Sequence, residues 1–360
     1  MTGFNSKRQM ANDKFIEGNS TMRKLATIRV IDALTPIEGA DAIECATVGG
    51  WKVVVKKGEY NVGDRTVYCE IDSWIPTKLA PFLSKGKEPR EFEGIKGERL
   101  RTIKLRGQLS QGLLLNLDQA IPQTNSFVEG DDVSELLGII KWEKPMNAQL
   151  AGMARGNFPS LIPKTDQERA QNLKKEIALV AETGLQFEVT EKLEGSSMTV
   201  YLIDGEFGVC SRNLDLKETE GNAFWAAARR DDIEAKMKAV NEHWDFAIQG
   251  ELIGPGIQDN IYKLTETMFC VFDVYNVQEG GYLDPDARRA LIARMGLTHV
   301  PVLLIDKDLG VGSVDEILQW AEGPSKLNDK QEREGIVFKE ANGGMSFKAI
   351  SNSYLCKQKD

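Results

Sequence analysis

The sequence predicts an α+β protein, an N-terminal OB-like β-barrel followed by a larger domain in which antiparallel strands and helices alternate. Three observations carry this. Short β-branched runs punctuated by Gly, Pro, Asn and Asp fill residues 22–140. A stretch broken by Pro145, Gly152, Gly156, Pro159 and Pro163 separates them from the rest of the chain. From Leu185 onward strand and helix patterns alternate to the C-terminus. The 360 residues, 41% hydrophobic and 28% charged, suffice for two ordinary cores.

Taken in order, residues 1–21 are too polar for a signal peptide and read as a flexible tail. In residues 22–140, strands are expected in RKLATIRVIDALTPI, AIECATVGGWKVVVKKG, DRTVYCEIDSWIP and ERLRTIKLRGQLSQGLLLNL. So many short strands in one small domain favour an OB-like barrel, with a β-sandwich as the alternative. Trp51, Tyr60 and Trp74 are stacking platforms or core aromatics, and a barrel this small favours the core. Residues 141–165 read as a linker, and 166–360 as the second domain. That domain opens with TDQERAQNLKKEIALVAETG, a helix pattern with Thr165 or Asp166 as cap and Glu168 completing a capping box. QFEVTEKLEGSSMTVYLIDGEFGVCS reads as a hairpin and NAFWAAARRDDIEAKMKAVNEH as a helix. FAIQGELIG and MFCVFDVYNV read as strands, DPDARRALIARMG and VDEILQWAEG as helices, and GIVFKE and MSFKAI as closing strands.

The formal net charge of -9 gives the whole chain no attraction for nucleic acid, so any such contact must come from a local basic patch. One exists: Lys96, Arg99, Arg101, Lys104 and Arg106 are opposed only by Glu98. In a strand, Arg99 and Arg101 share one face and Lys104 and Arg106 the other, unless a bulge intervenes. The patch is either a phosphate-tracking groove or a charged edge strand. Cys45, Cys69, Cys210, Cys270 and Cys356 are scattered, with only His243 and His299 beside them. A zinc site or disulfide framework is not expected, and a reducing compartment, cytosol or nucleus, is. No apolar run approaches the roughly 18 residues of a membrane span. Nothing demands an oligomer, so a monomer is expected.

The chemistry-bearing segment is Glu191-Lys192-Leu193-Glu194-Gly195-Ser196-Ser197. A lysine at a strand end, shortly before a turn glycine, can be presented on a cleft floor, but K-x-x-G alone is a weak signal and reads as a surface turn. Further blocks come after it in order: Ser211-Arg212-Asn213, Glu251 in QGELIG, Phe272-Asp273 in VFDVYN, Glu334 in EGIVFK and Lys348 in SFKAIS. This series resembles the nucleotidyl motifs of the covalent nucleotidyltransferase superfamily, which includes ATP-dependent DNA and RNA ligases and mRNA capping enzymes. The resemblance covers residues 185–351 and implies an adenylyltransferase, ATP-grasp-like ligase domain.

It also implies roles. Lys192 attacks the α-phosphate of ATP and carries AMP as a phosphoramidate. To do so it must be neutral, and moving a lysine pKa from about 10.4 to near 7 takes roughly 4 to 5 kcal/mol. A divalent cation, Mg²⁺ or Mn²⁺, or buried cationic surroundings can supply it, and Glu194, Glu251 and Glu334 are the acids at motif positions. Glu191 accepts from the adenine amino group beside Leu193, Glu251 holds the ribose, and Phe272 stacks on the purine. Lys348 and Arg212 offset phosphate charge as pyrophosphate leaves. Arg169 matches a segment that precedes the lysine in such RNA ligases, and reads as a phosphate contact or as a helix-surface residue. Many ligases carry two lysines in the last motif; here Ser346 stands at the first, and Lys339 is the candidate substitute.

DNA ligases and capping enzymes place an OB domain after the last motif, whereas here only Asn352 to Asp360 come after it. The arrangement is similar to nick-sealing RNA ligases with an N-terminal OB module, which GWKVVVKKGEYNVGDRTVYCEIDSWIP and RLRTIKLRGQLSQGL also resemble. The implied substrate is RNA, a 3′-OH and a 5′-phosphate at a break in a duplex. A DNA ligase, a GTP-using capping enzyme and a non-catalytic RNA-binding protein are the alternatives.

Overall fold

The structure is a computed structural model and describes residues 23–121, 126–143, 152–240, 244–310 and 313–357. The expected tail, residues 144–151 of the expected linker, and His243 lie outside the described residues. The described chain divides into two compact units, one of residues 23–143 with 171–174 and 356–357, the other of residues 152–170 and 175–355.

The first unit is built from short strands: β1 (Ala26–Val30), β2 (Ala33–Pro36), β3 (Ile43–Val48), β4 (Trp51–Lys56), β5 (Arg65–Cys69), β6 (Ser73–Pro76), β7 (Arg90–Phe92), β8 (Ile95–Arg99), β9 (Ile103–Leu105), β10 (Gln108–Ser110), β11 (Leu113–Asn116) and β12 (Ile140–Lys141). Two helical turns, α1 (Leu117–Ala120) and α2 (Ser134–Leu137), join them; Asn116 caps the first by accepting from the Asp118 and Gln119 amides. The strands form sheets β1-β5-β11, β2-β3-β4 and β12-β6-β8-β7, with β9 and β10 as a separate hairpin. Period-two patterning explains the packing: in β4, Trp51, Val53 and Val55 are buried while the residues between them are not. Ile28, Val67, Cys69, Ile75, Val133 and Leu137 form the core. Trp51, Tyr60 and Trp74 are at most 5% exposed, so all three are core aromatics. The indole N–H groups still find acceptors, Trp74 on the Ile95 carbonyl and Trp51 on Asn172 Oδ1.

The second unit contains β13 (Ala154–Asn157), β14 (Glu168–Arg169), α3 (Lys174–Ala181), β15 (Gln186–Lys192), β16 (Ser196–Ile203), β17 (Glu206–Cys210), β18 (Leu214–Leu216), α4 (Ala223–Arg230), α5 (Ile233–Val240), β19 (Phe246–Ile253), β20 (Met268–Asn276), β21 (Gly281–Tyr282), α6 (Pro285–Arg294), β22 (Thr298–His299), β23 (Val302–Asp308), α7 (Val314–Ala321), β24 (Gly335–Glu340), β25 (Ser346–Ile350) and α8 (Asn352–Lys357). They make two sheets. One runs β14-β25-β24-β15-β23; the other runs β13-β18-β17-β16-β19-β20-β21, with β22 beside β20.

Three local expectations are corrected. The segment 186–210 is not one hairpin: β15 pairs with β23 and β24, while β16 pairs with β17 and β19. The actual hairpin is β16–β17, turning on Asp204-Gly205 with φ of 52° and 76°, a dipeptide suited to a type I′ turn. The helix expected from Thr165 begins only at Lys174, after an irregular stretch 163–167, the short β14 and a 3₁₀ turn (Ala170–Leu173). The helix expected after Asn222 is two, broken where Asp232 takes φ of 49°.

The larger sheet buries Met198, Val200, Phe246, Ile248 and Val271 against Trp225, Met237 and Ile292 of the helices. The smaller sheet buries Phe187, Phe338 and Phe347, the last two rings stacked at 4.6 Å. Because side chains alternate across a strand, burying those phenylalanines turns the other residues of β15, β24 and β25 to the opposite face. Across that face the register runs Lys192–Gly335–Ile350, then Thr190–Val337–Lys348, then Glu188–Lys339–Ser346.

Candidate active site

Lys192 ends β15, and its Nζ donates to Glu334 Oε1 at 2.6 Å. Glu334 stands just before β24, whose first residue, Gly335, is the direct partner of Lys192. Only glycine fits there, because a Cβ would lie 2.2 Å from the Ala349 carbonyl oxygen. The chain then leaves one sheet for the other. Leu193 is buried with Ile253, Tyr262, Cys270 and Val300, and Phe272 packs against that cluster. The Glu194 amide donates to the Tyr262 hydroxyl at 2.6 Å. Gly195 explains the glycine of the motif: a Cβ there would meet the Leu252 carbonyl oxygen at 2.4 Å and Glu251 Cγ at 2.9 Å. Its absence lets the segment after Lys192 run against β19, and Ser197 pairs directly with Glu251.

The carboxylates respond to one another. Burial pushes Glu194 up to about 7, helped by Glu334 and Asp259, against the pull of Lys192. Burial likewise pushes Glu251 up to about 8; Glu334 and Glu194 add to it, while Lys192 and Arg212 oppose it. The three motif acids, Arg212 and the motif lysine therefore lie within electrostatic reach of each other. Asp259 and Tyr262 belong to a loop in which Gln258, Asn260 and Lys263 all hold positive φ, a strain typical of functional segments.

Glu191 is 1% exposed; its Oε2 accepts from the Lys326 amide at 2.7 Å, while Oε1 is buried without a hydrogen-bond partner. An orphaned buried acceptor is costly and suits a donor brought by a ligand, such as an amino group. Phe272 falls where the β19–β20 register shifts, so a bulge re-aims it. Lys339 is buried, donating to the Phe272 carbonyl and to Asp273 Oδ1, each at 2.6 Å; burial pushes its pKa down to about 8. It faces Ser346 directly across the strands, and Ser346 Oγ is buried without a partner.

Lys348 Nζ donates to Asp166 Oδ1 at 3.0 Å, and Arg212 donates to Asp166 Oδ2 at 3.3 Å. Arg169 is buried in β14 beside Lys348 rather than on a helix surface. Asp166, Tyr262 and Asp259 are site residues that sequence reasoning missed. Asp166 reads as a helix cap, and the loop carrying the others has no periodicity to betray it.

Among the described residues no three His, Cys, Asp or Glu side chains are arranged to hold a metal ion. The donor set still fits a hard divalent cation that keeps most of its waters and takes one or two carboxylates. Glu194 Oε2 is buried without a partner, beside two further acids.

The basic patch belongs to the other unit, and its geometry is corrected. Arg99 ends β8, donates to Asp72 Oδ1 at 2.7 Å and lies 3.8 Å over the Trp142 ring. β8 ends at Arg99, so Arg101 lies outside the strand and the two do not share a strand face. Lys104 sits mid-strand in the β9–β10 hairpin, and Arg106 sits in its turn, where Arg106 and Gly107 hold φ of 50° and 82°. Lys104, Arg106, Ile103 and Leu105 are all exposed.

Residues 185–350 match the family model described as RNA ligase, and residues 25–117 match an OB-fold domain, which sets the β-sandwich aside. Solved structures of Naegleria gruberi RNA ligase are similar along nearly the whole chain. An apo mutant is 49% identical with a TM-score of 0.86, over 92% of this chain and 97% of that one. The structure with PPi is 49% identical with a TM-score of 0.85, over 93% and 98%. A mutant with ATP and Mn is 49% identical with a TM-score of 0.86, over 94% and 100%. No curated protein matches the chain.

Proposed function

We propose that this chain, which belongs to the RNA ligase family and is an ATP-dependent RNA ligase, seals RNA 3′-OH ends to 5′-phosphates at nicks in duplexes. One observation carries its chemistry: Lys192 sits at a strand end on Glu334, with Glu194, Glu251 and Arg212 within electrostatic reach and Lys348 tied to Arg212 through Asp166. ATP and Mn accompany the related enzyme, and both suit this donor set.

The amine of Lys192 attacks the α-phosphorus, the bond to pyrophosphate breaks, and a phosphoramidate to AMP forms. In the free enzyme Glu334 Oε1 accepts from Lys192 Nζ and so fixes the direction in which the amine points. Glu194 and Glu251 would hold Mg²⁺ or Mn²⁺, whose positive charge would favour the neutral, nucleophilic form of the amine. Glu191 Oε1 receives the adenine amino group and Phe272 stacks on the ring. Lys348, Arg212 and Arg169 take the phosphates. Lys339, committed to Asp273, stiffens the Phe272 carbonyl and the adenine shelf. AMP then passes to the 5′-phosphate, and the RNA 3′-hydroxyl displaces it.

Arg101, Lys104 and Arg106 on the OB unit meet the duplex backbone. The exposed hairpin carrying Lys104 and Arg106 supports this, as does the absence of an acidic residue between 99 and 110. All five cysteines are free, which supports a reducing compartment, cytosol or nucleus. We take the enzyme to act as a monomer.

Matched nicks whose 3′-OH strand is RNA or DNA, and the same strands unannealed, test the substrate. The reading predicts sealing of the RNA-ended nick and little of either alternative. Equal sealing of the DNA-ended nick makes the enzyme a DNA ligase as well, and preference for single strands refutes nick sealing.

A further inference from the structure

We propose that Asp166 is a phosphate surrogate: in the free enzyme it occupies the cationic site that the phosphates of ATP take over, and it reclaims that site as pyrophosphate leaves. This rests on the ligase reading, in which Lys348 and Arg212 meet those phosphates. The two oxygens of one carboxylate are divided between them, Oδ1 on Lys348 and Oδ2 on Arg212, as two oxygens of a phosphate would be. The two cations come from different sheets, Lys348 from β25 and Arg212 from the turn after β17, and Asp166 draws them toward one point.

The loop carrying Asp166 is secured on both sides of it. The Pro163 carbonyl accepts from Gln249 Nε2 at 2.9 Å, and Lys164 Nζ donates to Asn213 Oδ1 at 2.8 Å. Beyond it, Glu168 and Arg169 pair with β25. Between these anchors Asp166 has no regular secondary structure, and its side chain is 34% exposed, so it can turn outward without disturbing either anchor. The consequence for catalysis is definite. A negative charge that competes with ATP weakens ATP binding in the ground state and equally weakens retention of pyrophosphate. Product departure is thus favoured over reversal, and Lys348 and Arg212 are never left bare.

The test is the rate of lysyl-AMP formation against ATP concentration, and its inhibition by pyrophosphate, for the intact chain and for Asp166→Asn. Losing two partly exposed contacts to one carboxylate lowers KM for ATP and the inhibitory pyrophosphate concentration by roughly 5-fold. Asp166→Glu restores both constants toward those of the parent. A KM unchanged or raised in Asp166→Asn overturns the proposal, and a raised KM makes Asp166 a support for Lys348 instead. Covalent labelling of the unaltered protein is the internal control: its absence would sink the ligase reading itself, whereas labelling with unshifted constants sinks only the surrogate.

Discussion

Replacing Gly335 by alanine should cripple the reaction while leaving the protein folded. The residue contacts no ligand in our reading; it sits between Lys192 and Ile350 across three strands. An alanine methyl would lie 2.2 Å from the Ala349 carbonyl oxygen, 2.9 Å from Ile350 Cα and 3.1 Å from the Ala349 carbonyl carbon. All of these are backbone atoms of β25, so no side-chain rotation relieves the clash. Restoring ordinary contact requires β24 and β25 to part by about 1 Å at their ends, and overpacking of this kind costs roughly 1 to 3 kcal/mol. The displacement falls on Glu334, the adjoining residue, and on its hydrogen bond to Lys192. Misplacing reacting groups by about 1 Å costs on the order of 100-fold in rate. Urea unfolding and the single-turnover rate of lysyl-AMP formation check both numbers. A variant that adenylylates at the parental rate would show that the close approach at Gly335 does not set the Lys192–Glu334 geometry.

The electrostatics set other expectations. Glu194 and Glu251, pushed up to about 7 and about 8, must give up protons to take a divalent cation. The Mn²⁺ concentration for half-maximal labelling should therefore fall by about tenfold per pH unit for each proton displaced, as pH rises from 6 toward 8; a flat dependence contradicts those shifts. Both folded-state values lie above the ordinary 4.5, so the metal-free protein binds extra protons when folded and loses stability as pH rises from 4.5 through about 8. Added Mn²⁺ should offset that loss in a thermal melt. Arg288, 1% exposed, pairs with Glu188 and lies 3.6 Å from Asp273, so Arg288→Met strands buried carboxylates and should cost about 3 kcal/mol or more in urea unfolding. A loss below about 1 kcal/mol would mean that Arg289 and Lys339 satisfy the network alone. Arg101→Ala with Arg106→Ala should reduce the salt dependence of nick binding by about one unit of slope per lost phosphate contact; unchanged affinity and slope would remove the patch from the interface.

The α+β class and the OB unit were readable because β-branched period-two runs and turn residues report directly on local backbone. The motif residues stood out for a different reason: their types and order resemble the nucleotidyl motifs, and the structure brings Lys192, Glu194, Glu251, Glu334 and Arg212 within electrostatic reach of one another. What the sequence hid was pairing. Strand patterning says which residues face a core, not which strand lies alongside, so β15 and β16 looked like one hairpin although they belong to different sheets. Asp166 shows a second limit. Its position before a helix-like run suggested a cap, yet its carboxylate is drawn to two cations, one of them 182 residues away in sequence, and the helix starts later. The basic cluster misled similarly, because β8 ends at Arg99 and the Arg106-Gly107 turn breaks a run that looked like one strand.

The most direct test of Lys192 as the AMP carrier is to incubate the purified protein with α-labelled ATP and Mg²⁺ or Mn²⁺, after stripping preloaded AMP with pyrophosphate, beside Lys192→Ala. Acid-labile label on the denatured parent, absent from the variant and absent with labelled GTP, is the predicted result. No label on the stripped parent with either metal, or label that survives Lys192→Ala, would contradict the assignment of Lys192 as the residue that carries AMP.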